Sequence, residues 1–471
     1  MIDARRRQRT FGDGFVADAV PDWQEAWMPH ADTILDDDHV VSAVYEALGN
    51  RHPQSRTRGR RGAPAERVLR LLVLKHVRNW SYGTLEREVR TNLVYRAFTR
   101  VGGGPTPDAK TMGRWGVAVG PATIEAIHRR LVAIAQREGV VEGRRMRVDT
   151  TVVETNIHYP TDSSLLGDGV RVLTRVMRKV TAIAGCVGAT LRDRRRSVTH
   201  RLLEIGRIAR SKGVQRQEKL LQAYQRLLAT TSRVVGQAKR FSREIGTGVK
   251  RHADVLQQAT LDGWRHELDV FVPRVQQVMR QARARIFGGD THVEQKLLSL
   301  FEPTTEVIRK GKASKPTEFG KMVKLQEAEQ QIITDYVVYA QRPSDSDILI
   351  PALETQVQRL GRVPRLLAGD AAFYSGTNET SAHAKGVTRV CIPNRSTKSP
   401  ERKREQRTRW FKKGQKWRTG CEGRISVVKR RHGLTRCRYK GDDGMKRWVG
   451  LGVIADNLIN IGRVMATRGV P

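Results

Sequence analysis

The stretch Met146-Arg-Val-Asp-Thr-Thr-Val-Val153 decides how this chain can fold. It is rich in β-branched residues, and apolar and polar side chains alternate around Asp149, which is typical of a strand. A second apolar run, Val363-Pro-Arg-Leu-Leu-Ala-Gly-Asp370, also ends in an aspartate, and a helix-like segment opens at Glu422. Because functional groups gather at the carboxyl ends of neighbouring strands, these three carboxylates are candidates for one site.

The composition points to a polyanionic partner. The chain has 471 residues with 86 Lys plus Arg against 48 Asp plus Glu, a formal net charge of +38. Such an excess favours nucleic acid, because each phosphate that is neutralised releases counterions. No apolar run approaches the roughly 18 residues that span a bilayer, so the sequence predicts no membrane partner. The four cysteines form no CxxC pair, which argues against a zinc site or a disulfide framework.

The pattern along the chain predicts five segments. Helical spacing of apolar residues follows a basic start, and a long stretch poor in proline follows the first strand. The segments are a loosely ordered basic region at 1–60, a helical DNA-binding domain at 61–140, a first catalytic part at 141–163, an all-helical insertion at 164–295, and a second catalytic part at 296–471 that contains a basic linker at 395–418.

The order of elements predicts the fold class. Without the insertion, the chain reads as a strand with Asp149, two strands, a helix, a strand ending at Asp370, a helix, a strand, and a helix with Glu422. This is a mixed α/β order with an early antiparallel part and a later βαβ part. It is the layout of an RNase H-like core, here interrupted by a large all-helical insertion and preceded by a helical domain.

The chemistry of three carboxylates in a basic chain is that of a metal-dependent nuclease site. Magnesium prefers hard oxygen ligands, and two ions about 4 Å apart can activate a nucleophile and stabilise the leaving oxygen of a phosphodiester. Arg418 and Lys429 share a helix face with Glu422, since steps of four and seven residues return close to a full turn. Taken alone, this face is more typical of an ordinary surface helix with salt bridges, but together with Asp149 and Asp370 it favours a metal site.

At these residues the sequence resembles the DDE transposases of bacterial insertion sequences, with the group called ISNCY as the nearest match. The catalytic part of the resemblance rests on Val148-Asp-Thr-Thr-Val-Val-Glu-Thr-Asn-Ile-His-Tyr-Pro-Thr-Asp-Ser-Ser-Leu-Leu166, Gly369-Asp-Ala-Ala-Phe-Tyr374 and Gly420-Cys-Glu-Gly-Arg-Ile-Ser-Val-Val-Lys-Arg-Arg-His-Gly433. The N-terminal part rests on Leu85-Glu-Arg-Glu-Val89 and Pro107-Asp-Ala-Lys-Thr-Met-Gly-Arg-Trp115.

The resemblance implies a catalytic, metal-binding triad of Asp149, Asp370 and Glu422. It implies two Mg²⁺ ions per site, with Mn²⁺ able to substitute. It also implies that Arg418 and Lys429 belong to a tyrosine, arginine, glutamate and lysine signature. The tyrosine of that signature is replaced by Gln415 in this chain, and the nearby aromatic residues Tyr374 and Trp417 are candidates to compensate.

Further basic and aromatic residues are predicted to contact DNA, together with Arg418 and Lys429. His158 and Tyr159 follow the first strand and could touch DNA near the cut, or could only shape the turn. The others are Arg430, Arg431, Arg402, Lys403 and Arg404. Glu154 lies five positions after Asp149, so on a regular strand it points to the opposite face and stays outside the metal site.

The resulting hypothesis is a cytoplasmic, nucleoid-associated bacterial transposase. It would bind the inverted ends of its own element and target DNA as double strands, cut at the ends, and transfer the exposed 3′-hydroxyl to the target. A homodimer or higher oligomer is expected, because two ends must be brought together. The rival hypotheses are an RNase H-fold nuclease without strand transfer and a catalytically inactive DNA-binding repressor.

Overall fold

The computed structural model describes residues 1–5, 14, 20–58, 62–185, 187–309 and 317–468. The chain divides into two compact units. The first unit consists of Met1–Asn156 together with Val307–Pro471, and the second consists of Ile157–Glu306. The second unit therefore interrupts the first in sequence, between the first strand and the remainder of the sheet.

Helices fill the part of the first unit that precedes the sheet. Within the described residues they are α1 (Met28–Leu35), α2 (Asp38–Gly49), α3 (Ala65–Val77), α4 (Tyr82–Thr91), α5 (Leu93–Phe98), α6 (Ala109–Ala118) and α7 (Pro121–Arg137). Helix α3 is buried on nearly every side, including its charged residues Arg70 and Lys75. A helix buried all round lies at the centre of a core, and the other helices pack around it.

The prediction of a loosely ordered segment over 1–60 is wrong for α1 and α2. Both helices contribute to the buried core, for example through Leu35 and Val44. Asp37 caps α2 by accepting from the backbone N–H groups of the first turn, and Arg70 of α3 forms an ion pair with Asp32. The helically spaced apolar residues of this region form only short runs, and a basic run follows them, so the sequence pattern does not reveal these two helices. Residues 6–13, 15–19 and 59–60 lie outside the described residues.

A mixed sheet forms the rest of the core of the first unit. Its strands in the described chain are β1 (Arg145–Glu154), β2 (Glu306–Ile308), β3 (Glu318–Glu327), β4 (Ile333–Val338), β5 (Leu366–Ala368) and β6 (Arg389–Cys391). Their order is β2-β3-β1-β5-β6, and β4 also pairs with β3. Pairing is antiparallel between β1, β3 and β4 and parallel between β1, β5 and β6. The predicted antiparallel and βαβ parts are therefore both present.

Strand β3 was missed by the sequence prediction, which placed strands near 298–308 and 331–340. The strand carries Lys321, Lys324 and Glu327, whose charges are typical of a solvated segment. In the structure all three are buried. Lys324 reaches Asp335 of β4 at 2.5 Å, and Lys321 donates to the carbonyl of Ala340 at 2.6 Å. The charges are tolerated inside the fold because each has a partner.

The second unit is helical in the segment where the sequence predicted an all-helical insertion. Its helices in the described residues are α8 (Asp162–Ala184), α9 (Arg195–Arg210), α10 (Arg216–Gly246) and α11 (Val255–Gly288). Three of them end at or next to a glycine, namely Gly185, Gly246 and Gly288. Their apolar faces form one buried cluster that includes Leu173, Leu227 and Val275.

The remaining helices of the first unit cover the two faces of the sheet. They are α12 (Asp345–Leu360), α13 (Gly376–Ala384), α14 (Pro400–Arg407), α15 (Arg409–Arg431) and α16 (Gly441–Arg468). Helices α12 and α13 pack with the face of β1 that bears Val148. Helices α15 and α16 pack with the face that bears Val153. Because strand side chains alternate, Asp149 belongs to the face covered by α15.

The structure corrects the prediction of a basic linker at 395–418, because most of this segment is helical. It contains α14 and the first turns of α15. The density of Lys and Arg is typical of a solvated loop, yet Phe411 and Gly414 form a buried side that packs against the sheet. A narrow apolar stripe is enough to seat a helix whose other sides are charged.

Helix α16 is long and apolar enough, by length and composition alone, to cross a membrane. However, 72% of its apolar window is buried inside the protein, as in a core helix. It packs against α7, α1 and α3, and against α15. No membrane protein is indicated by this helix.

Candidate active site

Asp149 lies in the middle of β1 on the face covered by α15. Its Oδ1 accepts from the backbone N–H of Thr150 at 2.7 Å. Its Oδ2 lies 3.8 Å from Nη1 of Arg418. The side chain is 16% exposed, so it is reachable from solvent without being surrounded by it. This is the setting of a carboxylate that can receive a ligand at an edge of the core.

Asp370 follows the end of β5 in an extended conformation, with φ −74° and ψ 165°. The parallel register pairs Arg147 with Ala368. Carried two residues further, this register sets Asp370 level with Asp149 on the neighbouring strand, where strands are about 5 Å apart. The two aspartates also share a local arrangement, because Oδ1 of Asp370 accepts from the following backbone N–H, that of Ala371, at 2.7 Å.

Glu422 is brought to Asp149 by helix α15. Nη2 of Arg418 donates to Oε1 of Glu422 at 2.8 Å, one helical turn away, as the i,i+4 spacing predicts. The same guanidinium lies beside Asp149, so Arg418 bridges the strand and helix carboxylates. Glu422 is 57% exposed, whereas Arg418 is 13% exposed. The glutamate is therefore the more exposed partner of this bridge.

Arg147 anchors α15 to the sheet two residues before Asp149. It forms a buried ion pair with Glu327 of β3 and donates to the backbone carbonyl of Trp417. Its guanidinium also stacks on the Trp417 ring at 4.8 Å from the centroid. Trp417 directly precedes Arg418, so this anchor fixes the position, relative to β1, of the helical turn that carries Arg418 and Glu422.

Two buried groups near the site, Glu327 and Cys421, have pKa values raised above their ordinary values. Burial raises the pKa of Glu327, against the opposing effects of Arg147 and Arg424. Burial also raises the pKa of the Cys421 thiol well above its ordinary value, and the nearby charges of Glu327 and Asp149 add to the rise. Cys421 is therefore a protonated, inert thiol under the helix, and not a nucleophile.

A second buried ionic group holds α15 against α16. Arg424 donates to Asp456 at 2.7 Å, and Nε2 of His432 lies 3.6 Å from the same carboxylate. Asn460 also donates to Asp456 at 3.1 Å. His432 is 2% exposed, so it is a buried residue at the end of α15. No local sequence pattern predicts this network, since charged residues within an apolar helix such as α16 resemble an exposed stripe.

The donor set of the site suits a hard divalent cation. Asp149, Asp370 and Glu422 offer carboxylate oxygens, which magnesium and manganese prefer. In the described part of the chain, however, no group of three or more His, Cys, Asp or Glu side chains lies close enough together to hold a metal ion. The positive charge between Asp149 and Glu422 is that of Arg418. For all three carboxylates to hold a metal ion, Glu422 would have to give up its contact with Arg418 and bind the ion in its place.

Glycines let α15 lie close to the sheet. A Cβ at Gly414 would come within 2.5 Å of Sγ and 3.1 Å of Cβ of Cys391 on β6. A Cβ at Gly420 would overlap the Arg147 guanidinium. A Cβ at Gly423, on the same helix, would meet nothing within 4 Å. The two close approaches set the distance from the helix to the strands that bear the aspartates.

We expect Gly414→Ala to lower the free energy of unfolding by about 1 to 3 kcal/mol, because the added methyl group overpacks the helix against Cys391. The matched variant Gly423→Ala should raise it by about 1 kcal/mol, since alanine favours the helix and touches nothing. Urea titration of both variants measures this difference. Equal effects at the two positions would show that α15 does not lie against β6.

The residues predicted to complete the signature have other partners. Gln415, at the position of the missing tyrosine, donates to the carbonyl of Cys391 at 2.7 Å and so fastens α15 to β6. Trp417 is stacked by Arg147. Tyr374 lies under Arg402, with the guanidinium 5.4 Å from the ring centroid. All three therefore have packing roles in this arrangement.

The structure corrects the prediction that Arg402 contacts DNA. It is 8% exposed, forms ion pairs with Glu379 and Glu405, and donates to the carbonyl of Ile392. It is therefore a buried structural residue of α14. The neighbours Lys403 and Arg404 are exposed, as are Arg430 and Arg431 at the end of α15, while Lys429 is half-buried.

His158 and Tyr159 belong to the second unit. His158 lies 3.6 Å from Asp168 and 3.3 Å from the hydroxyl of Ser164. Ser164 and Thr161 form the capping box of α8. Tyr159 is 75% exposed. These contacts give His158 a role at the start of α8. Glu154, which belongs to the first unit, forms an ion pair with Arg436 at 3.3 Å.

Two family models match the chain. A transposase domain (DUF772) matches residues 25–116. A transposase DDE domain matches residues 379–462, a range that includes Glu422 and Arg418. No curated protein matches the chain, and no solved structure does. The matches lie in the N-terminal helices and across the helix beside Asp149, and both are to transposases. These two matches support a DDE transposase of an insertion sequence.

Proposed function

We propose that this transposase cuts and joins DNA strands at a site formed by Asp149, Asp370 and Glu422. One observation carries the proposal. Asp149 of β1 and Glu422 of α15, far apart in sequence, meet on the two sides of one guanidinium, that of Arg418. The parallel register of β1 with β5, extended by two residues, pairs Asp370 with Asp149 and so supports including Asp370 in the same site. Three carboxylates on the face of the sheet that α15 covers are the ligand set expected of a phosphoryl-transfer site.

The fold supports this assignment. An antiparallel β1–β3–β4 part joined to a parallel β1–β5–β6 part is the pairing expected of an RNase H-like core. The interruption of this core by the second unit explains why the two aspartates are so widely separated in sequence. The ions proposed are two Mg²⁺, with Mn²⁺ as a substitute, and they would supply Lewis-acid charge at the phosphate.

The proposed partners are the terminal inverted repeats of the element and a target duplex. The N-terminal helices offer exposed cations for end binding, such as Lys110 and Arg114, which lie one turn apart on α6. Near the site, Arg430 and Arg431 are exposed on α15. Two ends must be joined in one event, so we propose that a homodimer or higher oligomer acts.

The proposal is tested with a labelled duplex that carries one end of the element and a target plasmid. With Mg²⁺ or Mn²⁺ we expect a nick at the end of the element and a joined product, and with EDTA neither. Cutting without joining in both metals would support a nuclease. Binding of the ends without cutting in either metal would support a repressor. Both outcomes contradict a transposase active at this site.

A further inference from the structure

A basic groove lies at the opposite end of the parallel strands from the aspartates. One wall is formed where β1, β5 and β6 begin, with Arg145, Leu366 and Arg389 at matching positions in the register. The other wall is the first part of α15. The groove has a volume of about 1110 Å³, above the range of roughly 300–1,000 Å³ for pockets that hold one small molecule.

The charge of this groove has one sign. Its lining in the described chain holds six cations and neither aspartate nor glutamate, and the cations are Arg144, Arg145, Arg365, Arg389, Arg409 and Lys413. Arg144 pairs with Glu142 at 2.5 Å. Glu329 accepts from the backbone N–H of Arg145, at 2.7 Å, and not from its guanidinium.

The other five cations are not neutralised within the protein. Among the residues that the structure describes, no ion pair involves Arg145, Arg365, Arg389, Arg409 or Lys413, although other arginines of the chain form many. Like charges placed together repel one another and raise the local concentration of anions. The groove is therefore built for a ligand with several negative charges.

Aromatic rings line the same groove. Trp410 and Trp417 lie on one side of α15 at a spacing of seven residues, which is about 10 Å along the helix. Both are half-buried. Cations that follow a backbone, combined with aromatic side chains that stack on bases, are the features of surfaces that bind single strands. Arg147 stacks on the ring of Trp417, and the guanidinium of Arg389 lies 5.5 Å from the ring centroid of Trp410, so both rings are held in place along this side of α15.

We infer that this groove, which we call the strand-start groove, binds one strand of DNA next to the active site. Arg145 precedes Asp149 by four residues of β1, roughly 13 Å along the strand. A DNA strand held at Asp149 can therefore continue into the groove. The inference rests on the proposed function for the identity of the ligand, but the binding itself needs neither metal nor cleavage.

The test measures binding of the full chain to a labelled single-stranded oligonucleotide of about 12 nucleotides, in EDTA, by fluorescence anisotropy at several salt concentrations. The groove variant is Arg365→Ala with Arg389→Ala. The matched variant is Arg51→Ala with Lys440→Ala, two exposed cations outside the groove. We expect the groove variant to bind about tenfold more weakly and its salt slope to fall by about 1.4, which is 0.7 per lost contact. The matched variant should change little.

A third variant, Trp410→Leu, tests the stacking. We expect it to weaken single-strand binding by about tenfold and duplex binding by much less. Equal losses in the groove and matched variants would overturn the inference, as would losses confined to a duplex of the same length. Because the assay contains no metal, a chain that failed to cut DNA would still give a clear result here.

Discussion

Asp149→Asn is expected to reduce cleavage and joining at the element ends by about three orders of magnitude or more, because an amide cannot supply the negative charge that a divalent ion needs. Asparagine has nearly the same shape and can still accept from the backbone N–H of Thr150. The free energy of unfolding should therefore change by less than about 1 kcal/mol. Asp370→Asn and Glu422→Gln should have the same effect on both steps.

The chain offers a matched control on the same strand. Glu154 ends β1 and pairs with Arg436, away from Arg418. Glu154→Gln removes one negative charge as the active-site variants do, and should keep cleavage within about threefold of the unaltered chain. Rates of end cleavage in Mg²⁺ and the affinity for the ends should be measured for all four variants. Full activity in any triad variant would remove that residue from the site.

Arg147→Ala is expected to lower the free energy of unfolding by about 3 to 5 kcal/mol, because it leaves the carboxylate of Glu327 buried without this partner. Glu327 is 1% exposed and Arg147 is 5% exposed, so solvent does not replace the lost contact. The change also removes the donor to the carbonyl of Trp417. The turn of α15 that carries Arg418 and Glu422 then loses its fastening to β1, and cleavage should fall as well.

The double variant Arg147→Met with Glu327→Leu separates the two effects. Replacing both charges by apolar side chains avoids an unpaired buried carboxylate, so most of the stability should return. Cleavage should stay low, since methionine cannot donate to the Trp417 carbonyl. Urea unfolding and end-cleavage rates are the measurements. A loss below about 0.5 kcal/mol in Arg147→Ala would contradict the role of this ion pair.

Some parts of the fold follow from local sequence. The β-branched run around Asp149 forms a strand, and the glycines at 185, 246 and 288 lie where helices of the second unit end. These features depend on neighbouring residues only. Strand β3 does not, because Lys321, Lys324 and Glu327 are stabilised by partners on other elements. A charged strand is recognised as buried only when those partners are known.

The same division applies to the candidate site. The contact of Arg418 with Glu422 was predictable, because an i,i+4 spacing on a helix fixes it. Arg402 was predicted to contact DNA because it lies in a basic run, yet its side chain is buried and forms ion pairs with Glu379 and Glu405. The anchor formed by Arg147 and Glu327 joins two strands that are far apart in sequence, so no local pattern could reveal it.

The central claim, that Asp149, Asp370 and Glu422 hold the same metal ions, is tested most directly by iron-directed cleavage of the protein. Fe²⁺ bound in place of Mg²⁺ produces hydroxyl radicals with ascorbate and peroxide, and these cut the backbone beside the ion. We predict cuts near residues 149, 370 and 422 that excess Mg²⁺ suppresses and that Asp149→Asn removes. Cuts confined to other parts of the chain, or cuts near only one of the three, would contradict a shared metal site.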